Sequence, residues 1–130
     1  MDIIISEKSD TPIYEQVYVQ IASQILNGDL KANDCLPSIR TIAREVGISI
    51  ITIKKAWELL ETDGLIYTRT GIGSFVSEHA KNRLNDKKHA FAVERFRKDA
   101  VFYRELNISR EEFIKIVEKE YPGIPERRSE

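Results

Sequence analysis

Two short helical periods separated by only three residues, Gly47-Ile48-Ser49, constrain this chain more than any other feature. Upstream, Ser38 directly follows Pro37 and can cap a helix. Ile39, Ile42, Ala43 and Val46 then share one side, and Gly47 ends the run. Downstream, Ile48, Ile50, Ile51, Thr52 and Ile53 are all β-branched, a composition that favours a strand. The period decides otherwise. Ile53, Ala56, Trp57 and Leu60 recur at i, i+3, i+4 and i+7, Lys54 and Lys55 break any alternation, and Gly64 closes the segment. The spacing predicts a helix over residues 50–63, capped by Ser49, against the propensity of its own first turn. A link this short leaves no room for a full loop, so the pair reads as a helix-turn-helix.

The flanking residues extend that reading. Thr11-Pro12 suits an N-cap followed by proline at the first helical position. Ile13, Val17, Ile21 and Ile25 recur every four residues, and Gly28 can end the helix, predicted over 12–27. Before it, "IIIS" reads as a short extended arm. After the third helix, "LIYTR" and "SFV" are strand-like runs around "TGIG", where Gly71 and Gly73 supply the positive φ of a tight hairpin. Helix, helix, hairpin is the order of a winged helix-turn-helix. The expected fold class is mainly α with a small β-hairpin wing.

Past Val76 the composition shifts to helix formers with neither Gly nor Pro until Pro122. Val93, Phe96, Ala100 and Tyr103 form a stripe at 3,4,3 spacing, and Phe91, Ala92 and Phe102 widen it. A break near Asn85-Asp86 divides this stretch. Ser109 with Glu112 three residues later is a capping box opening a last helix, whose inner side would carry Phe113, Ile116, Val117 and Tyr121. Pro122 and Gly123 stop it, and the remainder reads as frayed. The expected organisation is a winged helix-turn-helix over 1–76, a two-helix dimerisation segment over 77–121 and a flexible tail over 122–130.

Charge is distributed by placement. The net charge of −1 excludes a generic polyanion binder. Residues 34–76 carry five basic and five acidic side chains, but the third helix sorts them. Lys54 and Lys55 lie in its first turns with Thr52; Glu58, Glu61 and Asp63 lie in its last two. A major groove accepts a helix whose N-terminal part faces the bases. Docked that way, the basic start and the free N–H groups meet phosphate, and the acidic end points away. Ile50 and Ile51 cannot both face the core if Ile53, Ala56 and Trp57 do, and thymine methyl groups take apolar contacts of this kind. Arg40, early in the preceding helix, suits bidentate contact with phosphate or a guanine edge. The wing tip, Arg69-Thr70-Gly71-Ile72-Gly73, can enter a minor groove, although a GxG alone signals only a tight turn.

Enzyme chemistry has little to stand on. His79 and His89 are ten residues apart and diverge by about 80° on one continuous helix. Neither sits in a metal-ligand spacing, and no GxxxxGK[ST] loop exists for a nucleotide. No cofactor is expected. Cys35 is the only cysteine, which excludes an intrachain disulfide, and it is expected to pack as a small hydrophobe beside Leu36-Pro37. No apolar run approaches the roughly 20 residues that span a bilayer, and "MDIIISEKSD" lacks the features of a signal peptide, so the reading is cytoplasmic.

From Leu36 to Val76, "LPSIRTIAREVGISIITIKKAWELLETDGLIYTRTGIGSFV" resembles the DNA-binding domain of GntR-family bacterial transcription regulators. The shared pattern is a Leu-Pro-Ser-x-Arg start, a Gly-x-Ser turn, a Leu-Glu, a Gly-Leu-Ile and a Gly-x-Gly-x-Phe-Val wing. The resemblance implies a winged helix domain that dimerises on a palindromic operator. It also implies DNA contacts at Ser38, Arg40, Ser49, Thr52, Lys54, Thr70 and Gly71. To these the charge and shape of the surfaces add Ile50, Ile51, Lys55, Arg69 and Gly73. Many members carry arginine where this chain has Ile50. The 54 residues after Val76 would not hold the large ligand-binding domains of most subfamilies, and the tail looks like the YtrA subfamily, whose members often regulate transporter operons. Phe91, Val93, Phe96, Ala100, Tyr103, Phe113 and Val117 are the expected homodimer interface. The partners expected are double-stranded operator DNA and a second copy, with no membrane and an unknown effector. The competing expectation is a winged helix that binds protein instead of DNA.

Overall fold

In the computed structural model residues 1–124 are described. The chain forms two compact units, Met1–Asp86 and Lys87–Glu130.

The first unit contains α1 (Ile13–Asn27), α2 (Ile39–Val46), α3 (Ile50–Thr62), β1 (Ile66–Arg69), β2 (Gly73–Val76) and the first turns of α4 (Ala80–Glu105). Val17, Ile21 and Ile25 of α1, Ile42 and Ala43 of α2, and Ile53, Ala56, Trp57 and Leu60 of α3 meet in one buried core. The stripes read from spacing are therefore the faces that pack. Leu65, Ile66 and Val76 close the core from the hairpin, and Ala80 and Leu84 extend it along α4. Trp57, 2% exposed, is its largest side chain. The opening of α3 is helical despite its β-branched run, because Ile53 and the residues after it are buried only in that period.

α1 begins one residue later than expected. Pro12 is its N-cap, and its carbonyl accepts from the N–H groups of Glu15 and Gln16, both at 3.1 Å. Thr11 does not cap; its carbonyl instead accepts from Gln16 Nε2 at 2.8 Å.

The arm before α1 is extended and held by a ladder of glutamines. Gln16 donates to the Ser6 carbonyl and accepts from the Ser6 N–H, both at 2.9 Å. Gln20 does the same for Ile4, accepting its N–H at 2.8 Å and donating to its carbonyl. Gln24 donates to the Asp2 carbonyl at 2.9 Å. Each amide thus serves the arm as a neighbouring strand would. Ile3 and Ile5 turn into the core, whereas Ile4 is 77% exposed.

β1 and β2 pair antiparallel, with Ile66 opposite Val76 and Arg69 opposite Gly73. A third extended piece, not foreseen, joins this ribbon. Asn33 N–H donates to the Val76 carbonyl at 2.8 Å, Val76 N–H to Asp34 at 2.9 Å, and Leu36 N–H to Ser74 at 2.8 Å. Cys35 bridges Phe75 within it. This corrects the expectation for Cys35: its neighbour Leu36 is buried, but the thiol itself is exposed, because alternate residues of an extended strand face opposite ways.

Gly64 ends α3 at φ 73°, and the N–H groups of Gly64 and Leu65 cap the Glu61 and Leu60 carbonyls at 2.9 Å each. The Arg83 guanidinium lies so close that a Cβ on Gly64 would meet its Nη1 at 2.6 Å. The backbone angle demands glycine, whereas the Arg83 side chain is free to swing aside.

α4 runs unbroken through Asn85-Asp86, correcting the expected break. Neither residue removes a backbone donor, and their weaker propensities cost only tenths of a kcal/mol, about 0.7 at most each. The turn that follows Glu105, the last residue of α4, carries Asn107 at φ 59°. Its N–H donates to Arg104 and the Ile108 N–H to Tyr103, both at 3.0 Å, so asparagine fills the left-handed position glycine usually takes. α5 (Arg110–Glu120) opens on the capping box, with Ser109 Oγ accepting from the Glu112 N–H at 3.1 Å and Glu112 Oε1 from the Ser109 N–H at 3.2 Å. Phe113 packs against Phe96 and Tyr103, with ring centroids 5.4 and 5.1 Å apart. Ile116, Val117 and Tyr121 do not join that inner side; Tyr121 is 72% exposed. Pro122 falls in a 3-10 turn, Tyr121–Gly123, that stops α5. The tail expected over 122–130 lies outside the described residues from 125 onward.

Candidate nucleic-acid interface

α2 and α3 are capped by the same device. Ser38 Oγ accepts from the Thr41 N–H at 3.1 Å and donates to Thr41 Oγ1 at 2.9 Å. Ser49 Oγ accepts from the Thr52 N–H at 3.2 Å and donates to Thr52 Oγ1 at 2.9 Å. Two residues expected at a DNA contact, Ser38 and Ser49, thus first secure the helix starts that such a contact needs. The Thr52 hydroxyl accepts from Ser49, which leaves its own hydrogen to donate outward.

On α3 the side chains sort as the charge order anticipates. Ile51 and Lys54 are exposed, Ile51 by 81%. Ile50, exposed by 42%, lies nearer the core. Lys55 is also exposed, but its ammonium rests 4.0 Å from the centroid of the Tyr14 ring, a cation–π contact that ties α3 to α1. The acidic end is turned to structural use. Glu61 accepts from Thr68 Oγ1 at 3.0 Å, and Asp63 accepts from the Tyr18 hydroxyl. Burial, followed by that bond and the Asp63 charge, pushes the Tyr18 phenol well above its usual range. Arg40 is exposed, and among the described residues no ion-pair partner, Glu45 included, holds it.

The wing carries Arg69, Thr70 and Gly71 at an exposed tip. Gly71 has φ 80° and Gly73 φ 148°, and the Ile72 N–H donates to the Arg69 carbonyl at 2.9 Å to close the turn. Tyr67 stacks on Phe75 at 5.4 Å, and the Thr68 and Ser74 hydroxyls meet at 2.9 Å, which stiffens the ribbon behind that tip. Gly73 is half-buried, with Cys35 Sγ 3.7 Å from where its Cβ would stand. Ile72, part of the expected wing tip, is 68% exposed there, whereas sequence reasoning placed no role on Tyr14 or Tyr18. Tyr14 and Tyr18 stand four apart beside the Ile13–Val17–Ile21 stripe, a spacing that could have marked them.

In the second unit the residues expected at a homodimer interface divide in two. Phe96 and Tyr103 each contact Phe113 within the chain. Val93 and Ala100 are half-buried, whereas Phe91 and Val117 are exposed by 44% and 41%.

A three-helix unit with a capped α2–α3 turn and a β-hairpin following α3 is a winged helix-turn-helix, a DNA-binding class. Residues 13–76 match the bacterial regulatory proteins of the gntR family. The chain is 38% identical to the HTH-type transcriptional repressor YtrA of Bacillus subtilis (strain 168), over 72% of each chain. It is similar to the structure of YtrA from Sulfolobus acidocaldarius, a GntR-family transcription factor, at TM-score 0.61 and 33% identity, covering 75% of this chain and 97% of that one. It also resembles the DNA-binding domain of AraR in complex with operator ORX1, at TM-score 0.53 and 29% identity, over 59% of this chain and 96% of that one. The chain belongs to the GntR family.

Proposed function

We propose that this protein is a cytoplasmic transcription repressor that binds a palindromic operator as a homodimer, each copy presenting α3 to the major groove and the wing tip to the minor groove. One observation carries the reading. The first turns of α3 are open, with Ile51, Thr52 and Lys54 available, while two of its three C-terminal carboxylates are held by Thr68 and Tyr18. The cationic end of the helix is thus the end left open to duplex DNA. Arg40, Lys54 and Arg69 supply phosphate or base contacts, and Thr52 a hydroxyl. The repressor name of the YtrA relative and the operator-bound AraR domain support the same assignment. No catalytic step is assigned to it.

The homodimer reading rests on the second unit. Among its described residues none is fully buried, and Phe102, Leu106 and Val101 are each more than half exposed. Apolar surface on this scale is rare on a chain that stays monomeric.

The test is selection of duplexes from a random pool, followed by anisotropy titration at several salt concentrations. The expected result is a two-fold symmetric site and a log–log salt slope of about 0.9 for each phosphate neutralised. Absence of duplex binding at low salt would refute it and leave a winged helix that recognises protein.

A further inference from the structure

We infer that Ile51 reads the 5-methyl group of a thymine in each half-site, so that this protein selects an A·T pair by apolar contact where α3 reaches furthest from its core. The inference rests on the DNA-binding reading above and specifies what that surface recognises.

Ile51 is 81% exposed, the largest exposure among the large apolar side chains. At about 100° per residue it lies about 160° from Ile53, which points into the core. Ile50 lies only about 20° from the direction of Trp57, so it flanks the core instead of leaving it. A single β-branched side chain therefore projects from the first turn, about 60° around the helix from Lys54. Beside it, Ser49 Oγ accepts from the Thr52 N–H and donates to the Thr52 hydroxyl, which keeps its own hydrogen to donate. Ile51 carries no side-chain donor or acceptor, so it cannot read a base edge by hydrogen bonding.

The chemistry of the groove then narrows the choice. Thymine alone among the four bases presents a methyl group on the major-groove edge. Cytosine carries only hydrogen at that ring carbon, so it offers an isoleucine no methyl to cover. The branched side chain has few rotamers to lose on contact.

The test resynthesises the selected duplex with deoxyuridine replacing one thymidine at a time, which removes only the methyl group. Binding is measured by anisotropy for the wild type, Ile51→Ala, Ile51→Ser and Ile50→Ala, with thermal melts to confirm folding. The expected result is one symmetry-related position where uracil weakens wild-type binding about fourfold per half-site, the worth of one buried methyl. Ile51→Ala should not distinguish thymine from uracil there, and Ile50→Ala should. Ile51→Ser, which has no methyl, supplies the same comparison if the alanine variant binds too weakly to titrate. Wild-type indifference to uracil at every position overturns the inference while leaving DNA binding intact, as does an unchanged uracil penalty in the Ile51 variants. Failure of the wild type to bind any duplex overturns the DNA-binding reading itself, and the inference with it.

Discussion

Single side chains in the first unit separate into those that hold the fold and those left for a partner. Tyr18 belongs to the first group. Its folded state retains the phenolic proton well above the usual range, whereas the unfolded chain releases it at about pH 10. A raised folded value means stability that is intact below that pH and lost as pH rises beyond it. Thermal melts between pH 8 and 11 should show the wild type losing more stability than Tyr18→Phe above pH 10. Parallel curves would show that the Asp63 bond does not restrain the proton. Lys54 and Lys55 are neighbours with different duties. Lys54→Ala should lower the salt slope of duplex binding by about 0.9 per half-site and leave the melting midpoint near wild type. Lys55→Ala should cost about 0.5–1 kcal/mol of stability through the lost Tyr14 contact, read by denaturant titration. Arg40, exposed and without an ion-pair partner among the described residues, should behave as Lys54 does in the same assays.

Elements were legible wherever period and cap agreed. Ser38, Ser49 and Ser109 all cap the helices their positions announced. The β-branched opening of α3 was resolved by the buried spacing of Ile53, Ala56, Trp57 and Leu60, which local propensity alone misjudges. What escaped reading depends on distant segments meeting. Asn33–Leu36 joins the wing over too few residues to show an alternation, so Cys35 looked like a core residue. The Gln16, Gln20 and Gln24 spacing resembles an ordinary polar face until the arm is seen against it. Of the proposed DNA surface, the sorting of charge along α3 was visible; the pairing of Lys55 with Tyr14 was not, because it is made between helices far apart in sequence. Asn107 gives an element-scale test. Asn107→Gly should hold or raise stability, since glycine adopts φ 59° without strain, and Asn107→Val should lower it by about 1 kcal/mol or more. Equal midpoints for the two variants would mean the α4 terminus frays in solution.

For the molecule as a whole, the proposed pairing of two copies can be probed without disturbing either one. Phe96→Glu would break the contact with Phe113 inside the chain, so a monomer produced by it has two explanations. Phe102 is 61% exposed and touches only its neighbour Tyr103 among the aromatic rings described. Phe102→Glu should shift sedimentation toward the monomer and weaken duplex binding by at least tenfold, with helix content unchanged. A dimer that survives the substitution would place the interface elsewhere. The glutamine ladder sets a limit of a different kind. Its rungs advance by two residues along the arm and four along α1, which are about 6.6 and 6.0 Å respectively. The two scales slide past each other like a vernier, about 1.2 Å out of step across the three rungs. A longer run of glutamines would gain nothing, because the next amide would fall short of its peptide: the geometry itself fixes how much chain a helix can clasp in this way.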